Sequence, residues 1–256
     1  MSRSPWLAVP YTATTEIVAN LRSAAWPLAR LVHPLPRPPE GGAHPPVVLV
    51  HGYLGHPDMF RPLTRRLYAA GVGRVVRLGY PSMRLGLDQI ADRIGEAVRP
   101  LAAAHGRVDL VGHSLGAVAC RAWLKVYGGD AHVRRFVSLG GPHAGTALFR
   151  FTPPVLWDVL DPDGPWVHRL NTGPEPVPTT VIRARYDHQV LPRSGRRWPA
   201  QTRSCSRATA TTACCGRAPP TAPCWTRSWP PESGRLLRAR ARRNGFPIPG
   251  HAGATS

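Results

Sequence analysis

Residues 108–116 read Val-Asp-Leu-Val-Gly-His-Ser-Leu-Gly, and this stretch decides the fold. Val108 to Val111 is predicted as a buried strand, and a helix is predicted from Ser114 to Tyr127. A serine between two glycines at a strand-to-helix turn is the pattern of a nucleophile elbow. Glycines suit these positions because side chains there would collide with the strand and the helix. We therefore predict Ser114 as a catalytic nucleophile, with the backbone N–H of Leu115 facing the oxyanion that forms on the substrate.

A second backbone donor for that oxyanion is predicted after an earlier apolar strand. Residues 47–50 read Val-Val-Leu-Val, a continuous apolar run typical of a strand that is buried on both faces. His51, Gly52 and Tyr53 follow it directly. Gly52 lets the backbone turn sharply, so the N–H of Tyr53 is the predicted donor. The alternative is an ordinary glycine turn with no part in the chemistry.

Strand and helix patterns alternate from about residue 46 to residue 190. This alternation predicts the α/β class, with a mostly parallel sheet and helices on both faces. Asp58 is predicted to cap the helix after the first strand. A proline-rich insert at 141–178 interrupts the alternation, and a strand is predicted from Thr179 to Tyr186. Large apolar side chains of the insert suit a small lid or an acyl-chain pocket, or else ordinary packing: Phe149, Phe151, Leu156, Trp157, Leu160 and Trp166.

Three motifs together resemble bacterial lipases and esterases of the α/β-hydrolase superfamily. They are Pro-Val-Val-Leu-Val-His-Gly-Tyr at 46–53, Gly-His-Ser-Leu-Gly at 112–116 and Ser-Leu-Gly-Gly-Pro-His-Ala-Gly-Thr at 138–146. The resemblance covers about residues 45–193, which is more than half of the chain. It implies the α/β-hydrolase fold and a serine hydrolase that cleaves a small-molecule ester or lipid. Such chemistry needs neither a metal nor a cofactor.

The resemblance also implies that an acid and then a histidine follow the serine along the chain. Asp187 ends the last predicted strand, where its carboxylate would hold the catalytic imidazole in the right tautomer. The alternative is a turn aspartate. The expected histidine is missing, because only His188 and His251 come after Asp187. His188 is too close to Asp187 in sequence to reach Ser114 as well, and His251 lies near the terminus, so the base is unassigned.

The composition changes near residue 193. Residues 1–192 carry a net charge of +8, whereas residues 193–256 carry +11 and a single acid, Glu232. The whole-chain charge of +19 is therefore concentrated in the tail and does not indicate a nucleic-acid-binding domain. Four of the five cysteines also lie in the tail, without the Cys-x-x-Cys spacing of a zinc site.

We formulate the hypothesis that the chain left its ancestral reading frame near residues 193–198. Residues 194–256 show no hydrophobic period, as out-of-frame translation of a GC-rich gene would produce. Joining the third base of each codon to the first two of the next permits Val-Leu-Pro-Gly-Asp-Gly-His-His-Ser-Leu-Leu at 205–215. That string contains the strand end, loop and histidine that are missing. The alternative is a genuine basic tail of low order that binds an acidic partner.

Three segments follow from these observations: a lead segment at 1–44, the hydrolase core at 45–193 and the basic tail at 194–256. No apolar run is long enough for a transmembrane helix, and no secretion signal is recognisable, so a cytoplasmic location is expected. The first functional interpretation is a carboxylic-ester hydrolase. A pseudo-hydrolase that lacks the histidine, an acyltransferase and a thioesterase are alternatives on the same fold. A nucleic-acid binder built on the tail is a further alternative, from another class.

Overall fold

The computed structural model describes residues 34–42, 44–147, 149–184 and 201–205, all within one compact unit. Six strands of this part form one sheet in the order β2-β1-β3-β4-β5-β6, and every neighbouring pair is parallel. The strands are β1 (Val47–Val50), β2 (Val75–Leu78), β3 (Val108–His113), β4 (Val133–Leu139), β5 (Thr179–Ala184) and β6 (Gln201–Cys205). The prediction of an α/β fold with a parallel sheet is confirmed.

Five α-helices lie in the described part: α1 (Arg61–Ala69), α2 (Leu87–His105), α3 (Leu115–Val126), α4 (Trp157–Leu160) and α5 (Pro165–Asn171). The crossover through α1 moves outward from β1 to β2, whereas the crossover through α2 passes back over β1 to β3. Crossovers between parallel strands are right-handed. Helix α1 therefore covers one face of the sheet, while α2 and α3 cover the other and pack on each other.

The core lies on both sides of β1 and beneath α2. All four residues of β1 are fully buried, as the continuous apolar run predicts. Ile90, Ile94 and Val98 of α2 are also fully buried, and they belong to one cluster with Trp123 of α3. Burying an aliphatic side chain of this size contributes about 1.5–3 kcal/mol, so this face fixes α2 on the sheet.

The parallel sheet brings the functional loops to one edge. Val50 pairs with Gly112 in the ladder, and His113 pairs with Leu139, so β1, β3 and β4 end at nearly the same level. The chain after each of these strands starts from that edge. Residues that are far apart in sequence are therefore neighbours there.

Asp58 does not cap the helix after β1. Its carboxylate is buried and pairs with Arg77 at 2.6 Å and with Arg61 at 3.4 Å. The ring of His56 takes the capping position instead, because its Nδ1 accepts the backbone N–H of Asp58 in the 3-10 helix Pro57–Phe60. Two nearby guanidinium groups compete better for the carboxylate than the helix terminus does.

One part of the tail forms structure that its irregular composition does not predict. Residues Gln201–Cys205 form strand β6 and pair with β5. Thr180 is opposite Gln201 at one end of this ladder, and Ala184 is opposite Cys205 at the other. A ladder is built from backbone N–H and C=O groups, so it tolerates polar side chains where a hydrophobic face is absent. The rest of the basic tail lies outside the described residues.

Candidate active site

Ser114 occupies the strained turn that its sequence context predicts. Its φ is 51° and its ψ is −125°, and Leu54 is the one other non-glycine residue of the described part with positive φ. Such a backbone costs about 1–3 kcal/mol and persists where the surroundings enforce it. The Ser114 N–H donates to the carbonyl of Leu139 at 2.9 Å, and its side chain makes no capping bond to helix α3. The turn thus holds the hydroxyl away from the helix.

The glycines on either side of Ser114 are required by close backbone contacts. A Cβ on Gly112 would lie 2.5 Å from Cα of Ala117, inside helix α3. A Cβ on Gly116 would lie 2.2 Å from the carbonyl oxygen of His51 and 2.7 Å from that of Val50. Both contacts are with backbone atoms, which cannot rotate away. The start of α3 therefore packs directly on the end of β1.

The loop after β1 lies beside the nucleophile. A Cβ on Gly52 would be 2.8 Å from Cβ of Ser114 and 3.3 Å from the backbone nitrogen of Leu115. The structure therefore brings together the two segments predicted to carry the oxyanion donors, Gly52-Tyr53 and Ser114-Leu115. The side chain of Tyr53 packs, partly buried, on the hydrophobic core.

His51 holds this loop in place through contacts with Tyr80 and Gly52. Its ring stacks on Tyr80 with 4.2 Å between the ring centroids and an interplanar angle of 6°. Its Nδ1 lies 2.9 Å from the carbonyl oxygen of Gly52, and its own carbonyl accepts a hydrogen bond from the Tyr80 hydroxyl. Burial, opposed by the hydrogen bond to Gly52 and reinforced by the neighbouring His56, lowers the pKa of His51 to about 4. His51 is therefore a neutral structural residue at physiological pH.

His113, next to the nucleophile, is also structural. Burial lowers its pKa to about 4, with a smaller contribution from His51. Neither of its ring nitrogens has a hydrogen-bond partner, and the side chain is buried. A third histidine, His143, is buried after β4 with its Nε2 2.7 Å from Oγ of Ser138, and burial holds its pKa well below the ordinary value. All three are poor bases in these positions.

The predicted acid lies outside the described residues. Strand β5 is described as far as Ala184, three positions before Asp187. Because β5 runs parallel to β4, its carboxyl end points to the edge that carries Ser114. Asp187 therefore remains a prediction, and His188 and His251, which the sequence left unassigned, also lie outside the described residues.

The insert contains both core residues and exposed apolar residues. Leu156 and Leu160 are buried in the core cluster, and Phe149 and Trp166 pack on it partly buried. Trp157 is 40% exposed and meets the ring of Phe149 edge-on at 6.2 Å. The side chain of Phe151 lies outside the described part. Leu156 and Leu160 thus fit the packing interpretation, whereas Trp157 is open to solvent.

A buried polar network fixes the insert to helix α3, and the sequence analysis missed it. Arg121 donates to the Glu175 carboxylate at 2.7 and 3.1 Å and to Oδ1 of Asn171 at 3.0 Å. Lys125 donates to the carbonyls of Leu170, Thr172 and Gly173 at the end of α5. An arginine and a lysine one turn apart on an otherwise apolar helix were the only available signal. The pattern did not indicate their partners about 50 residues away.

The described residues contain no group of three or more His, Cys, Asp or Glu side chains that could hold a metal ion. Within the same range, no helix has the length and hydrophobicity needed to cross a membrane.

A family model agrees with the motifs. The model described as palmitoyl protein thioesterase matches residues 46–189, which is more than half of the chain. This range extends from the strand before the Gly52 loop to just beyond Asp187. A comparison with curated proteins gave no match.

The solved structure of one lipase shares the fold, and two other lipase structures match with lower scores. Lipase B of Aspergillus fumigatus matches with a TM-score of 0.53 and 19% identity, over 70% of this chain and 48% of that protein. The monoacylglycerol lipase of Paleococcus ferrophilus has a TM-score of 0.48 and 17% identity, over 63% of this chain and 86% of its own. The mature lipase BlEst2 of Bacillus licheniformis has a TM-score of 0.44 and 20% identity, over 60% of this chain and 70% of its own. At such identities the likeness concerns the fold alone.

Proposed function

Because the chain belongs to the palmitoyl protein thioesterase family, we propose that it is a serine hydrolase that cleaves acyl esters or thioesters through an acyl-enzyme on Ser114. The observation that supports this most directly is the strained backbone of Ser114, with φ of 51°, directly beside the Gly52 loop. Strained backbone of this kind clusters at active sites, which supports a role for the partly buried Ser114 in catalysis.

In the proposed reaction, Oγ of Ser114 attacks the acyl carbonyl carbon while its proton passes to a base. The carbonyl oxygen becomes an oxyanion that accepts hydrogen bonds from the N–H groups of Tyr53 and Leu115. The alcohol or thiol leaves with the proton from the base, and the acyl group stays on Ser114. Water then attacks the acyl-enzyme, and the fatty acid and free serine are released.

The proposed base is a histidine that Asp187 orients and that the ancestral reading frame of the tail would supply. His51, His113 and His143 are unsuitable because burial lowers the pKa of each. A general base is most effective when its pKa is near the working pH. If the present reading frame is correct, the chain is the impaired pseudo-hydrolase considered above.

The acyl group is proposed to be long and apolar. The described part exposes four large hydrophobic side chains, Leu54, Met83, Val155 and Trp157. Leu54 and Met83 follow β1 and β2, and a Cβ on Gly86, in the loop that precedes α2, would lie 3.9 Å from Cγ2 of Val155. Exposed apolar side chains favour a fatty acyl chain over a polar one where they meet the substrate. Phe149, which meets the ring of Trp157 edge-on, would support this surface from the insert.

A thioester substrate is a second candidate, and the family's name favours it. The same serine and oxyanion donors act on both substrates, since only the leaving atom differs. Comparing the oxygen ester and the thioester of one fatty acid would therefore show which leaving group the site prefers.

The test compares Ser114→Ala with the parent on palmitoyl and butyryl p-nitrophenyl esters and on palmitoyl-coenzyme A. Ser82→Ala is the matched control, since it removes a buried serine hydroxyl from the loop after β2. Loss of the nucleophile should lower kcat by about 10⁶-fold in an intact triad. Equal rates for the parent and Ser114→Ala would refute the proposal.

Labelling by a fluorophosphonate probe distinguishes a protein with a complete triad from one that lacks the histidine. A complete triad should label Ser114 rapidly, and a chain without its histidine should label slowly and turn over poorly. Labelling that persists in Ser114→Ala would assign the reactive serine elsewhere.

A further inference from the structure

Tyr80 lies two residues after the end of strand β2, and it makes two contacts with His51, at the start of the loop that carries Gly52 and Tyr53. Its hydroxyl donates to the backbone carbonyl of His51, and its ring stacks on the His51 imidazole at 4.2 Å. The side chain is 9% exposed. Burial raises the pKa of Tyr80 well above its ordinary value, so the hydroxyl keeps the proton that it donates.

The carbonyl that Tyr80 holds lies at the junction of the two oxyanion segments. This same His51 oxygen lies 2.2 Å from the position that a Cβ on Gly116 would occupy. One residue further along, Gly52 is in contact with Ser114 and close to the backbone nitrogen of Leu115. The His51 peptide therefore fixes how far the loop after β1 lies from the elbow.

We propose that Tyr80 is a positioning residue, which sets the distance between the two backbone donors of the oxyanion hole by holding the His51 peptide. This inference rests on the proposed function, because it takes Tyr53 and Leu115 as those donors. Oxyanion donors must lie within about 2.7–3.1 Å of the developing charge, so a small rotation of the His51 peptide would weaken the bond from Tyr53. Misplacement by about 1 Å typically costs about 100-fold in rate.

Two local features make the loop depend on this anchor. It reverses direction sharply, with the N–H of Gly55 bonded to the carbonyl of Gly52 at 3.0 Å and Leu54 at a positive φ of 55°. A loop that holds a strained non-glycine residue relaxes readily when an anchor is removed. Tyr80 supplies this anchor from the segment that follows the neighbouring strand β2, where its side chain is buried.

The decisive variant is Tyr80→Phe, which removes the donor and keeps the ring stacked on His51. Tyr127→Phe is the matched control, because its hydroxyl bonds to Asp88 at the start of α2. Tyr80→Phe should lower kcat on the palmitoyl ester about 10- to 100-fold, with KM changed less than twofold. The concentration of active sites is measured from the acyl burst, and kcat is calculated per active site. A smaller folded fraction therefore does not lower the measured kcat.

Hydrogen exchange of the peptide that covers residues 51–56 gives a readout independent of catalysis. Exchange there should become several-fold faster in Tyr80→Phe and stay unchanged in Tyr127→Phe. Unchanged exchange, or faster exchange with an unchanged kcat, would overturn the proposal. If Ser114→Ala is as active as the parent, the proposed function fails, while the exchange result still decides whether Tyr80 holds the loop.

Discussion

Acid should unfold this protein through histidines that are buried without charge. Burial lowers the pKa of both His51 and His113 from 6.5 to about 4. In the unfolded chain each ring regains its ordinary pKa and binds a proton below about pH 6.5. The unfolded state then holds more protons than the folded state, so the free energy of unfolding falls as the pH decreases. The loss begins near pH 6.5 and levels off near pH 4.

The size of the effect follows from the two shifts. A difference of 2.5 pKa units, from 6.5 to about 4, corresponds to about 3 kcal/mol for each histidine. His143 contributes in the same direction, because burial lowers its pKa as well. Domains of this kind are stable by about 5–15 kcal/mol, so two or three such groups remove a large part of the total.

Urea unfolding followed by tryptophan fluorescence, at pH steps from 7.5 to 4.5, measures the slope. Replacing His113 by Asn should flatten it by about a third to a half, since Asn does not titrate. His105→Gln is the control, because His105 is exposed at the end of α2. A free energy of unfolding that changes by less than about 1 kcal/mol between pH 6.5 and 4.5 would refute the reasoning, because two buried neutral histidines require a larger change.

Two other predictions rest on named contacts, and a third rests on the composition of the tail. Gly116→Ala should abolish esterase activity and lower the yield of folded protein, because its Cβ would lie 2.2 Å from a backbone oxygen. In the control variant Gly86→Ala, the new Cβ would meet no atom closer than 3.9 Å, so activity should be kept. Equal activity and yield in the two variants would contradict the packing around Gly116. Arg121→Met should lower the free energy of unfolding in denaturant by leaving Lys125, at 3.6 Å, as the remaining ion-pair partner of the largely buried Glu175 carboxylate, and adding Glu175→Gln should restore part of the loss. Strictly additive effects in that cycle would show that the pair is not coupled. Resequencing the gene across codons 188–232 should reveal a missing or extra base, and an unchanged sequence would end the frameshift hypothesis.

Local pattern was sufficient to predict the elbow and the sheet. The run Val47–Val50 is set by neighbours in sequence and forms the buried strand β1, and the glycines around Ser114 lie in a strand-to-helix turn between β3 and α3. Residues that act through distant partners were not predictable. Asp58 was expected at a helix cap, but its carboxylate pairs with Arg77 of β2. Arg121 pairs with Glu175 of the insert.

The hydroxyl of Tyr80 shows the same limit. A tyrosine in the segment after a strand has many possible hydrogen-bond partners. The carbonyl that accepts from Tyr80 belongs to His51, which lies 29 positions earlier in the chain. Strand β6 was not predicted, because the backbone hydrogen bonds that join it to β5 do not require any particular pattern of side chains.

The network at the end of α5 also determines how the protein can be coupled to other materials. Lys125 is the chain's one lysine, and its side chain is 9% exposed with its ammonium bonded to three carbonyls. Reagents that acylate amines therefore meet one lysine, and it is buried. Dyes, cross-linkers and resins of that chemistry would react poorly with it, and any that succeeded would have to break the attachment of the insert.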